Sequence, residues 1–328
     1  KKAKVVIFSE QTRDFMEDEI EARATELGKL KVITRTGDVT NPEDLKRTNV
    51  SQAKSIIVLD SDSAGDANVV STVLALKAVD SELSVRIIAE IDDANTGEAL
   101  TTATNGRVIT VRSHEIISRV TAQASRRPGL AAVVLDLLDF DGDEIYFSDV
   151  PALQGKKYSD ALLAFNDAAV IGIARQGKTM VNPAMDTVIQ AGDQLIAIAE
   201  DDDKVIYTGT REDIEAMQVV ARERAAEKPE SLLIIGWSSM GRSVLNELAA
   251  YLPAGSTVKI VAQTRYVDPA ELQNLVFGSI DVSFVPISGD IDDLIAIAKD
   301  QHYDEVIVLG YRTVISESEA DAQTMLTM

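Results

Sequence analysis

Ser55-Ile56-Ile57-Val58-Leu59, then the helical stretch Asn68–Val79, then Ser84-Val85-Arg86-Ile87-Ile88-Ala89-Glu90: this succession decides the fold. Each outer run is continuously apolar at its centre, over Ile56–Leu59 and Ile87–Ala89, rather than alternating. A strand of that kind is buried on both faces, as in a parallel sheet flanked by helices. The pattern continues outward. Val5–Phe8 and Glu17–Leu30 precede it, and Thr96–Thr104 and Val108–Val111 follow it. Alternating strands and helices predict βαβ units around a parallel sheet, an α/β fold of Rossmann-like type.

Beyond Val111 the pattern shifts. A long helix is expected from Ser113 to Arg126-Arg127, stopped by Pro128-Gly129, and a second over Leu130–Leu138. Asp141-Gly142 reads as a hairpin turn before Glu144–Phe147. Residues 145–200 carry short β runs, Ala169–Ala174 and Gln194–Ala199. Turn signals stand at Arg175-Gln176-Gly177-Lys178, Asn182-Pro183 and Ala191-Gly192-Asp193, which reads as a small α+β subdomain. A charged linker helix is expected over 210–230. At Ser231 a new apolar run, Leu232–Ile235, opens a second βαβ set. The expected divisions are therefore 1–127, 128–209, 210–230 and 231–328.

Short triplets recur in order. Gln11-Thr12-Arg13 returns as Gln263-Thr264-Arg265, Gly37-Asp38-Val39 as Gly289-Asp290-Ile291, and Ile57-Val58-Leu59 as Ile307-Val308-Leu309, at nearly constant separation. Two copies of one unit are expected. The second copy opens with a strand, a Gly-containing turn and a helix (Leu232–Leu252) that have no counterpart in the first. The second copy in turn stops within the helix corresponding to Asn68–Val79. The expectation is a fragment of a polypeptide that continues at both ends.

Composition narrows the function. At 45% apolar residues the chain has ample material for cores, and it contains no cysteine and two histidines, His114 and His302. Disulfides and thiolate metal sites are excluded, and a histidine-rich zinc site has little to draw on. The formal net charge is −21. Nucleic acid and anionic lipid are disfavoured as partners, whereas hard cations such as Ca²⁺ suit an acidic surface. No run approaches the length needed to span a bilayer.

Four groups invite a chemical reading. Gly236-Trp237-Ser238-Ser239-Met240-Gly241 lies between a strand and a helix, where a dinucleotide fingerprint belongs. Ser238 replaces the middle glycine, and no acid follows the next strand to hold a ribose, so a structural turn competes with nucleotide binding. The same turn places Ser238 ahead of Asp268 or Asp281 and His302. His302 however precedes its strand while the serine follows its own, which puts them at opposite sheet edges and argues against a hydrolase. Asp139, Asp141, Asp143 and Glu144 resemble the start of a calcium loop but miss its sixth and twelfth positions. Asp38, Glu90 and Asp92 follow the carboxyl ends of parallel strands, the edge where open α/β sheets bind ligands. Glu90 and Asp92 stand two apart on extended chain and point the same way. Three converging carboxylates favour a divalent ion; alternatively such acids cap helices, with Asp92 a candidate cap for the helix that follows.

Gly37-Asp38-Val39, Asp44-Leu45, Asn49-Val50, Ala53–Leu59 and Ser84–Glu90 resemble the core of RCK domains, the regulators of potassium conductance. Leu153–Lys156, Ala169–Lys178, Asn182-Pro183, Asp186-Thr187 and Ala191–Leu195 are similar to the TrkA C-terminal pattern. The tandem arrangement and the Gly-Trp opening of the second copy look most like the cytosolic region of Castor/Pollux-type ion channels. The resemblance implies a fourfold ring of tandem units beneath a pore that lies upstream of Lys1. It also implies that Asp38, Glu90 and Asp92 hold Ca²⁺, with Asp92 standing for a longer Glu, and that Asp290 matches Asp38 in the second copy.

The reading is a tandem RCK module with a TrkA-C-like α+β subdomain between its lobes. It is expected to be a non-enzymatic gating ring of a tetrameric cation channel, on the cytoplasmic side of the membrane without inserting into it. Ca²⁺ at Asp38, Glu90 and Asp92 is the expected ligand, with Asp139–Glu144 as the second choice. The alternatives are a nucleotide-sensing regulatory subunit of a potassium transporter, using Gly236, Ser238 and Gly241, and an NAD-dependent enzyme.

Overall fold

The computed structural model describes residues 4–24, 27–60, 65–139, 141–209, 228–272, 275–288, 291–312 and 314–328. The chain divides into two compact units, Lys1–Ser118 and Arg119–Met328.

Unit 1 runs β1 (Lys4–Ser9), α1 (Arg13–Arg23), β2 (Lys31–Thr36), α2 (Pro42–Arg47), β3 (Ser55–Val58), α3 (Asp66–Val79), β4 (Arg86–Glu90), α4 (Ala94–Ala103), β5 (Val108–Val111) and the start of α5 (Ser113–Arg126). Every strand pairing is parallel, as the apolar runs require. The strands nevertheless form two sheets, β1-β2 and β3-β4-β5. Side chains fix the helix starts. Thr12 accepts from the Phe15 amide, Asn41 from that of Glu43 with Pro42 in the first turn, and Asp93 from that of Thr96. Thus α1 begins earlier than the sequence suggested, at its Thr cap. It also ends earlier, well before Gly28, whose φ of 51° lies in the left-handed region. Val69, Val73 and Leu76 of α3 pack with Ile87, Ile91, Leu100 and Val108. Each such side chain, once buried, contributes about 1.5–3 kcal/mol. Phe8 joins this core from β1, and its ring lies against Gly37, where a Cβ would come within 2.7 Å of it.

Unit 2 takes in the rest of α5, α6 (Leu130–Leu138), β6 (Glu144–Ser148), α7 (Tyr158–Ala161), β7 (Ala169–Arg175), β8 (Lys178–Val181) and β9 (Gln194–Ala199). These strands form an antiparallel sheet in the order β6-β9-β7-β8. The β7–β8 hairpin turns on Gln176 and Gly177, both at positive φ, which the right-handed strand twist demands of a two-residue turn. Asp141-Gly142 is not a hairpin turn. It joins helix α6 to β6, and β6 pairs with the distant β9.

After residues 210–227, where most of the expected linker helix falls outside the described residues, unit 2 continues. Its elements there are β10 (Ser231–Ile235), α8 (Gly241–Tyr251), β11 (Thr257–Gln263), α9 (Pro269–Leu272), β12 (Asp281–Ile287), α10 (Ile291–Asp300), β13 (Glu305–Val308) and α11 (Glu317–Thr327). This sheet is parallel in the order β12-β11-β10-β13. Leu232 and Ile234 meet Val244, Leu245 and Leu248 of α8 on one face. Leu233 meets Val261 and Ile287 on the other, with Leu294 and Ile297 of α10 packed against them. The chain thus holds two Rossmann-like parallel arrangements and an α+β segment between them in sequence. The Gln-Thr-Arg triplets do not occupy equivalent positions in the two. Gln263 ends β11, whereas Gln11 lies beyond β1.

Candidate functional site

The carboxyl edge of β3-β4-β5 gathers acids because successive elements deliver them there. Asp60 follows β3, Glu90 ends β4, Asp92 and Asp93 lead into α4, and Asp66 opens α3. Their oxygens are held mainly by backbone N–H groups. Glu90 Oε2 accepts from the Asp60 amide at 3.2 Å. The Asp66 carboxylate accepts from the amides of Asp92 and Asp93 at 2.8 and 2.9 Å, clasping the turn between β4 and α4. Asp93 accepts from the Thr96 amide and hydroxyl, each at 2.8 Å, and these bonds hold its carboxyl below the usual range. Asp92 Oδ2 lies 2.5 Å from His114 Nδ1, so its partner comes from the first turn of α5, next along the sheet.

The sequence expected Asp38, Glu90 and Asp92 to converge, and the structure does not gather them. Asp38 follows β2, in the other sheet of unit 1. Its Oδ1 accepts from the Thr40 hydroxyl at 2.6 Å and the Thr40 amide at 2.8 Å, which depress its pKa and turn it into its own loop. Glu90 and Asp92 reach different partners because β4 ends between them. The cap of α4 is Asp93 rather than Asp92. Among the described residues no group of three His, Cys, Asp or Glu side chains is arranged to hold a metal ion. As it stands, the trio does not fit a Ca²⁺ cage, which needs six or more oxygens. Asp290 lies outside the described residues.

The second-choice set is also occupied internally. Asp139 accepts from the Asp141 amide at 3.2 Å, and Glu144 from the Tyr146 hydroxyl at 3.0 Å. Burial and the Glu144 carboxylate push that phenol up to about 12.

His114 and Asp66 were missed from sequence. A signal existed for His114. It opens the helix after the strand beside β4, so parallel neighbours deliver it to the acids.

At the carboxyl edge of the unit 2 sheet, Gly236, Gln263, Arg265, Tyr311 and Gln323 are among the residues lining a crevice of about 290 Å³. The glycines of the Gly236–Gly241 turn have internal reasons. Gly236 has φ 84°, and a Cβ on it would be driven into the Leu309 carbonyl oxygen; one on Gly241 would stand 2.6 Å from the Trp237 ring. Ser238 is buried, and its Oγ finds no hydrogen-bond partner among the described residues. The Tyr311 hydroxyl accepts from the Gln263 amide at 2.9 Å, and burial raises its pKa. Gln263 in turn accepts from Arg265 Nε at 2.8 Å. His302 precedes β13 while Ser238 follows β10, at the opposite edge, as the sequence implied.

Residues 114–215 match the family model described as Castor and Pollux, part of voltage-gated ion channel, and residues 15–111 match the TrkA-N domain. Over 259 residues the chain is 32% identical to the probable ion channel POLLUX of Oryza sativa subsp. japonica, covering 77% of this chain and 27% of that protein. It is 29% identical over 340 residues to the probable ion channel SYM8 of Pisum sativum, covering 99% of this chain and 38% of that one. The chain therefore spans about a third of these relatives' length. Among solved structures, the human SLO3 gating ring superposes with a TM-score of 0.65 at 15% identity, covering 99% of this chain and 66% of that one. That likeness concerns the fold. No helix among the described residues is long and apolar enough to cross a membrane.

Proposed function

This chain is related to the Castor and Pollux ion channels, carrying their middle region and a TrkA-N domain, and from that kinship we propose that it is the ligand-sensing regulatory module of such a channel. In this reading it sits on the cytoplasmic side of a membrane, joined to a pore in the same polypeptide, and assembles as a fourfold ring. The observation that carries the reading is the coincidence of two similarities over the same residues. The sequence relatives are ion channels, and the fold resembles that of a chain from a solved gating ring. These are regulatory proteins rather than enzymes.

A ring of four lowers the demand on each site. Swinging a pore from mostly closed to mostly open takes about 5.5 kcal/mol of differential binding. Shared over four equivalent sites that is about 1.4 kcal/mol each, a tenfold affinity difference. The proposed ligand is Ca²⁺. What supports it is charge. The protein carries −21, and Asp66, Glu90, Asp92 and Asp93 crowd one sheet edge with no Lys or Arg ion pair among the described residues.

The test combines light scattering with thermal melting of the chain. A tetramer whose melting temperature rises with Ca²⁺, and whose rise disappears in the Glu90→Gln, Asp92→Asn double variant, supports the reading. An unchanged response in that variant moves the site, first to Asp139–Glu144. A monomer indifferent to calcium sinks the proposal. The crevice beside Gly236 favours a nucleotide as the second reading, and binding of a labelled dinucleotide tighter than of Ca²⁺ would select it.

A further inference from the structure

The crevice at the carboxyl edge of the unit 2 sheet is small for a dinucleotide. Its volume of about 290 Å³ lies at the bottom of the range for small-molecule sites. The turn beside it, where a phosphate cradle would form, is already filled by the protein. The Gly236 amide donates to the Val261 carbonyl at 2.8 Å, and the Gly241 amide to the Ser238 carbonyl at 2.9 Å. The Trp237 ring lies on Gly241, the first residue of α8, where a pyrophosphate would approach the helix.

The polar groups of the crevice are few and held in place. Arg265 has its guanidinium 4.5 Å over the Tyr266 ring, and its Nε donates to Gln263 Oε1 at 2.8 Å. The stack and the bond fix the plane of the guanidinium, and no carboxylate pairs with it among the described residues. Tyr311, only 7% exposed, accepts from the Gln263 amide and keeps its own proton for another partner. Burial raises the pKa of that phenol, with the Arg265 charge acting against the rise, so the proton stays on at neutral pH. Gln323 donates from Nε2 to the Tyr266 hydroxyl at 2.9 Å, and its buried Oε1 has no partner among the described residues. Much of the remaining lining is apolar, with Ile287, Leu294, Val308 and Leu326.

We propose that this crevice binds a small organic acid, its carboxylate on the Arg265 fork and an apolar body the size of a single ring against Ile287, Leu294, Val308 and Leu326. A guanidinium held by stacking presents two parallel N–H groups that match the two oxygens of a carboxylate, and it loses little freedom on binding. The Tyr311 hydroxyl supplies a further donor. Apolar walls reward a hydrocarbon body over a sugar. A donor on that body that reaches Gln323 gives its orphaned oxygen a partner. The net charge of −21 does not forbid the anion, because salt screens exposed charges beyond about 8 Å and the fork acts at contact. The site belongs to unit 2, whereas the acids of the Ca²⁺ reading belong to unit 1, so neither depends on the other. The second reading gives the same crevice a nucleotide, and the experiment separates the two.

Phenylacetate is the probe, titrated against the whole chain and followed by ligand-observed NMR. Saturation at or below about 1 mM is expected. Phenylacetamide, of the same shape without the charge, should bind at least tenfold more weakly. Arg265→Gln should weaken phenylacetate at least tenfold, and Arg265→Lys, which keeps the charge but not the fork, by less. Leu326 is 74% exposed, so Leu326→Asp sets a like charge at the crevice without opening a core. That variant should bind at least threefold more weakly, and Leu326→Lys should not. Unchanged melting temperatures establish that each variant is folded. The proposal is overturned by the absence of saturation, by equal binding of phenylacetamide, or by full affinity in Arg265→Gln. Tighter binding of ATP or NADP⁺, weakened by the same substitution, also overturns it and gives the crevice to a nucleotide.

Discussion

The Asp193 carboxylate, almost fully buried, takes two hydrogen bonds from one side chain: Arg175 Nε to Oδ1 at 2.8 Å and Nη2 to Oδ2 at 2.6 Å. The same carboxylate accepts from the Gln190 amide, and Arg175 also reaches the Val188 carbonyl. This pair locks the turn before β9 onto the end of β7.

Its removal tests the antiparallel subdomain. Asp193→Asn leaves a partly buried guanidinium without its counter-charge, and about 2 kcal/mol of local stability is expected to be lost. The Arg175 hydrogen bond, opposed by burial, holds the Asp193 carboxyl below its ordinary value. Its contribution is therefore present above the unfolded pKa of about 3.9 and fades as pH falls through the lower folded value. Amide exchange of β7 and β9 between pH 7 and pH 3 should show that loss in the parent and a flatter response in the variant. Equal acid sensitivity in both would assign it to other carboxylates.

Glu305 titrates in the opposite sense. Burial raises its pKa, against a hydrogen bond from Ser125 at 3.0 Å and the charge of Arg126 at 4.0 Å. A raised acid stabilises the fold below its unfolded pKa, and that stability is lost as pH rises through the folded value. Glu305→Gln should therefore raise the melting temperature of unit 2 at pH 7, by the equivalent of about 1 kcal/mol or less, and leave it nearly unchanged at pH 4. Arg126 keeps its paired bonds to Glu230 in the variant. A lowered melting temperature at pH 7 would show that the Arg126 attraction outweighs burial.

Two glycines separate backbone strain from collision. Gly236 and Gly255 have φ of 84° and 85°. A Cβ on Gly255 meets nothing closer than Pro229 at 3.6 Å, whereas one on Gly236 runs into the Leu309 carbonyl. Gly255→Ala should cost about 1–2 kcal/mol, the left-handed penalty alone. Gly236→Ala should cost visibly more and loosen β13. Similar denaturant midpoints for the two variants would contradict the close approach.

Asp93 and Asp92 can be told apart by substitution. Asp93→Ala removes the cap of α4 and should destabilise unit 1 by about 1 kcal/mol. Asp92→Ala breaks an exposed contact with His114 and should cost well under that. Circular dichroism melts of the two variants decide the assignment.

Much of the fold was legible because buried parallel strands announce themselves. Ser55–Val58, Gln194–Ala199 and the two helices Ser113–Arg126 and Leu130–Leu138 stand close to where their residues placed them. Asp141-Gly142 misled because the same dipeptide serves a hairpin and a helix exit; only the pairing of β6 with β9 separates them. The site was less legible. Sequence places acids at a sheet edge, but not which backbone amides they then bind. Asp38 turned to Thr40, and Asp92 to a histidine twenty-two positions later, as local geometry dictated.

Trp237 is the single tryptophan of the chain, and its ring is packed on Gly241 at the turn into α8. Excited selectively, this indole makes the protein its own fluorophore, and the light it emits comes from one spot at the mouth of the second sheet. Any molecule that pries open that turn will change the emission colour without a label being attached. Events confined to unit 1 will leave it dark to them, so one cuvette can separate the two halves of the molecule.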